Sequence, residues 1–138
     1  MFGGPEILQT LQTKVDELDE RVRTDARLVK ANAAYSECMR AGGYANLPDS
    51  DEVDVVLKRK LEAIVGPVNR LGTTASDAEP AYDRTALAAL QREEVAMVKT
   101  DVGCQEQHVV DVEDAVRAEY ERTFREQNAA FLAKVPRP

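Results

Sequence analysis

Two stretches of the 138-residue chain are almost free of helix-breaking residues, and they constrain its fold more than anything else. Neither Pro nor Gly occurs between Pro5 and Gly42, and from Thr85 to Val135 only Gly103 intervenes. Within the first stretch apolar residues recur at Leu8, Leu11, Val15, Leu18 and Val22. The 3, 4, 3, 4 spacing is that of an a/d seam. A further step of four reaches Ala26, followed by Val29 and Ala33; such a step is a stutter that locally unwinds a coiled coil. Pro5 suits the first helical turn, where its missing N–H would be unpaired anyway. The pattern predicts a helix over about residues 5–40, closed by Gly42-Gly43.

The rest divides in the same way. Asp49 with Glu52 reads as a capping box, opening a helix over about 50–65 whose apolar face carries Val53, Leu57, Leu61 and Ile64. Gly66-Pro67 stops it. Residues 67–83, with Gly, Thr, Ser, Asp and Pro80, read as a loop, long for a compact domain. A third helix is expected over about 85–135, with Leu87, Leu90, Met97, Val98, Val102, Val109, Val112, Val116, Tyr120, Phe124, Phe131 and Val135 at periodic positions. It would span roughly 75 Å if straight, and Gly103 is where a bend is expected. The fold class is therefore all-α. The expected form is an elongated antiparallel hairpin or bundle in one domain, with two shorter helices packed along one long C-terminal helix.

The two cysteines, Cys38 and Cys104, match no zinc ribbon or Cys-x-x-Cys redox motif. If they are bonded, their Cα atoms lie about 4.4–6.8 Å apart, and an antiparallel partner places residue i opposite about residue 142 − i. Leu11 then faces Phe131, Leu18 faces Phe124, Val22 faces Tyr120, Ala26 faces Val116 and Ala33 faces Val109. Val15 against Gln127 is a mismatch. The alternative is two buried free thiols in a cytosolic protein. Val95, Val110 and Leu132 fall off the main seam, either completing the core or forming a dimer interface, so monomer and homodimer both remain open. Two copies would make a four-helix bundle.

A net charge of −7 disfavours phosphate backbones and anionic lipid surfaces as partners, so nucleic acid is not expected. No segment approaches the roughly 20 apolar residues of a membrane span. The first residues lack the basic and apolar regions of a signal peptide, which leaves a cytosolic protein or one whose leader has been removed. Exposed (i, i+4) pairs are expected at Glu17–Arg21, Asp19–Arg23, Glu113–Arg117 and Glu121–Arg125.

Catalytic patterns are absent from the sequence. His108 is the only histidine, four residues after Cys104, and a Cys/His metal site needs more ligands. A di-iron bundle needs Glu-x-x-His on two helices, and the chain contains none. No Gly-x-Ser-x-Gly elbow or glycine-rich phosphate loop occurs. A non-enzyme without cofactor or metal is expected. The best contact surface is the loop after the first helix, with Tyr44, Asn46, Leu47 and Pro48, together with Met39. The competing role for Tyr44 and Leu47 is to cap the junction between helices.

The stretch Tyr35-Ser-Glu-Cys38-Met39-Arg-Ala-Gly-Gly43-Tyr44 resembles the Cys-Met…Gly-Tyr segment of secreted proteins and lipoproteins of actinobacteria. In that group a Pro-containing loop follows, matched by Pro48. A second helical cysteine comes later in an Ala-x-x-Asp-x-x-Cys context, matched by Asp101 and Cys104, with Val98 where Ala is usual. The likeness covers about residues 30–135. It implies export, a Cys38–Cys104 disulfide and a helical fold, and no activity. The function expected is that of an extracytoplasmic helical interaction module for an envelope protein. The alternatives are a small apolar-ligand carrier, with a cavity around Met39, Met97 and Tyr44, and a helical-hairpin adaptor of an envelope transport complex, docking through the 67–83 loop.

Overall fold

The computed structural model describes residues 5–66 and 82–137. Six helices account for most of them: α1 (Pro5–Thr24), α2 (Ala26–Ala41), α3 (Asp51–Val65), α4 (Arg84–His108), α5 (Val110–Gln127) and α6 (Ala129–Leu132). No strand occurs among the described residues. Most of the 67–83 loop lies outside them. The chain divides into two compact units: one runs to Asn32 and resumes at His108, and the other is Ala33–Gln107.

In the first unit α1 packs against α5 in the register expected from the cysteines. Lys14 Nζ donates to Asn128 Oδ1 at 3.0 Å, and the ammonium also lies 5.4 Å from the centre of the Phe131 ring. Leu18 and Phe124 line one groove with Tyr120 and Gln127. Val22 and Val116 are fully buried, joined by Leu28, Ala31 and Val109.

The expected first helix is interrupted at Asp25. Its carboxylate accepts the Arg27 N–H at 2.9 Å, and its carbonyl accepts the N–H groups of Leu28 and Val29, so Asp25 starts a new helix as an N-cap. The restart shifts the phase of the buried stripe. Ala26, Val29 and Ala33, which continue the seam by counting, are exposed. Leu28, Ala31, Tyr35 and Met39 are buried instead. Leu8 is likewise exposed, and Ile7 takes its place on the inner face.

The expected third helix divides as well, though not at Gly103, through which α4 passes unbroken. The break falls at Val109, with φ −115° and a buried side chain. Val109-Val110 places two β-branched residues in succession, which weakens helix there. A second break falls at Asn128, whose Nδ2 donates to the Phe124 carbonyl at 2.9 Å; such a local bond competes with the helical ladder.

In the second unit α2 ends in a Schellman turn: Tyr44 N–H donates to Met39 O at 2.9 Å and Gly43 N–H to Arg40 O at 3.0 Å. Gly43 holds φ 101°, a conformation natural only to glycine. A Cβ on Gly42 would sit 2.8 Å from Thr100 Cγ2, so only glycine lets the chain pass α4 this closely. At the start of α3, Asp49 Oδ1 accepts the Asp51 N–H at 3.0 Å. The expected reciprocal bond from Glu52 is not made; Ser50 turns to α4 instead.

Candidate functional site

The second unit is fastened at one point by a covalent bond and a buried polar cluster. Cys38 of α2 and Cys104 of α4 form a disulfide with Cα atoms 5.8 Å apart. One helical turn before each cysteine stands a polar residue, Tyr35 on α2 and Asp101 on α4. They meet: Tyr35 Oη donates to Asp101 Oδ1. Ser50 Oγ donates to Asp101 Oδ2 at 3.2 Å, and Gln105 Nε2 lies 2.8 Å from the same oxygen and 2.7 Å from Ser50 Oγ. Asp101 retains only 7% exposure and Tyr35 none.

A buried carboxylate is costly unless donors surround it. Here three side chains from α2, the α3 entry and α4 converge on one, so the cluster adds the α3 entry to the two helices that the disulfide joins. Burial, and next the bond to Asp101, push the Tyr35 hydroxyl well above the ordinary tyrosine range, which keeps it a proton donor. Among the described residues no buried side-chain polar atom lacks a partner. The carboxylate is committed to these bonds.

The five residues of the expected contact surface are divided. Met39 and Leu47 are buried. Asn46 and Pro48 are exposed and Tyr44 is half-buried. His108 is half-buried in the last turn of α4. Among the described residues no three His, Cys, Asp or Glu side chains are brought together as a metal site. Met39 and Met97 are both packed in the core.

Two surface features emerge that seam counting does not anticipate. On α4, Val95, Val98 and Val102 are 58%, 39% and 44% exposed, although Met97, Asp101 and Cys104 on the adjoining face are buried. Val98 and Val102 were natural seam positions by apolarity, yet the inner face goes to Asp101 and Cys104. The signal for this lay in the cysteines: the residue at i−3 shares a face with Cys104, which places Asp101 inside, and Gln105, four residues after Asp101, reaches its carboxylate. The second feature is a groove of about 390 Å³ between α3 and α4, lined by Leu57, Leu61, Leu87 and Leu90 with Lys58 and Glu94 on it.

Two of the four expected surface pairs form, Glu113–Arg117 at 4.0 Å and Glu121–Arg125 at 3.8 Å. Arg23 pairs with Glu20 instead of Asp19, because Asp19 accepts Arg117 of α5 at 2.8 Å. Among the described residues no helix is long and apolar enough to cross a membrane. No family model, no curated protein and no solved structure matches the chain.

Proposed function

We propose that the chain is a non-catalytic helical interaction module that works outside the cytoplasm and meets a protein partner through the outer face of α4. The valine stripe carries this reading. Three branched aliphatic residues left in water on one helix face, on a helix whose opposite side is locked by a disulfide, fit a contact surface better than a solvated one. The disulfide supports export, since such bonds persist in oxidising compartments, and so does the resemblance to secreted actinobacterial proteins.

The test is site-specific photocrosslinking in the cell that makes the chain. A benzophenone side chain at Val95 or Val98 is expected to give a discrete protein adduct, and one at exposed Lys30 of α2 to give none. Absence of an adduct at Val95, Val98 and Val102 contradicts the reading. A second reading, an apolar-ligand carrier, draws on the leucine-lined α3/α4 groove, whose volume lies within the range of small-molecule sites. It expects saturable binding of a fatty acid that Leu61→Glu abolishes.

A further inference from the structure

The α4 stripe also carries information about what would cover it. Val95, Val98 and Val102 are spaced 3 and 4, an a/d pattern, so the natural occupant is another helix. Charged residues border the stripe on one flank: Arg92 before it, Lys99 beside its middle and Glu106 after it, each exposed. They are spaced seven apart, as one column of a heptad. Their order fixes the direction of a self-complementary partner. Parallel copies in register would set Arg92 against Arg92 and Glu106 against Glu106. Antiparallel copies related by a two-fold axis near Lys99 set Arg92 against Glu106 twice, and stack Val98 of each copy on Val102 of the other.

Resting on the interaction-module reading, we infer that the partner is a second copy of this chain, docked antiparallel through α4 about a two-fold axis beside Lys99. Such an isologous contact is the commonest way identical chains associate. Three valines per copy form a patch smaller than a standard interface, so the association is weak and concentration-dependent. Its one internal conflict is at the axis, where the two Lys99 ammoniums approach each other. That conflict makes the geometry testable, because removing the charge should tighten the dimer.

Sedimentation velocity of the full-length, disulfide-bonded chain over a wide concentration range tests this, with circular dichroism as the check that each variant folds. The native chain should show a reversible monomer–dimer equilibrium that Val98→Glu abolishes. Arg92→Glu turns two attractive contacts repulsive and should weaken it by roughly tenfold. Arg92→Glu with Glu106→Arg should restore it, and Lys99→Gln should tighten it. A native chain monomeric throughout, a dimer indifferent to Val98→Glu, or a charge swap without rescue would each overturn the inference. The photocrosslinked mass separates the two claims: an adduct of Val98 to a different protein removes the second copy while leaving the interaction module in place.

Discussion

The two compact units hold themselves together by different means. Where α1 meets α5, the contact is an apolar seam, centred on Val22 and Val116, bordered by the exposed pair Arg117–Asp19 and, at the start of α2, by Arg27–Glu119. Nothing covalent joins these helices. In the 33–107 unit a disulfide and a buried carboxylate with three donors fasten α2, α4 and the entry to α3. The contrast teaches that an apolar seam suffices to hold α1 against α5, whereas the 33–107 unit, with its chain reversal at Gly42-Gly43, uses directional bonds to select one arrangement.

The largest test of that contrast is to remove the disulfide. Cys38→Ser with Cys104→Ser should cost the 33–107 unit about 4 kcal/mol by loop-closure entropy. Hydrogen exchange should then report lost protection in α4 before α1 or α5. Equal loss in all three helices would mean that the units do not differ as described. Next in size is Asp101→Ala, which leaves the buried Tyr35 hydroxyl without its acceptor and should cost about 3 kcal/mol in urea unfolding. Tyr35→Phe should cost about 1 kcal/mol, since two donors to the carboxylate survive.

Val116→Ala should cost about 2 kcal/mol through lost burial and the cavity left behind, with its effect confined to α1 and α5. A smaller effect concerns pH. Hydrogen bonds from the Arg27 side chain and N–H, and then from Tyr120, hold the Asp25 carboxylate well below its ordinary value of 3.8. A depressed folded-state value adds stability that is complete above the unfolded value and is lost as pH falls through the folded one. Thermal melts should therefore show a decline below about pH 4 that is shallower in Asp25→Asn.

Much of the architecture was legible in the chain. The helical class and the span of α3 follow from spacing and from punctuation by Gly and Pro, and the 142 − i register of α1 on α5 follows from pairing the two cysteines. Phase was not. Counting carried the seam through Asp25 to Ala26, Val29 and Ala33, while the aspartate recaps the helix and turns Leu28, Ala31, Tyr35 and Met39 inward. An Asp three residues beyond an interior seam position is a weak signal, because most such residues lie in solvent. The polar cluster was hidden for a related reason. Hydrophobicity assigns Val98 and Val102 to the core, whereas tertiary hydrogen bonding gives it Asp101. Within the expected loop surface, the burial of Leu47 was not decided by its apolarity or by the turn residues around it.

The account rests on the covalent bond between α2 and α4, and the proposed export rests on that bond in turn. Intact-mass counting of alkylated thiols, on chain taken from its native source without reductant and paired with a thermal melt, tests it most directly. No alkylation before reduction, two alkylated cysteines after it and a melt lowered by reductant are the expected results. Two free thiols in the native protein, with a melt indifferent to reductant, would contradict both the bond and the proposed export.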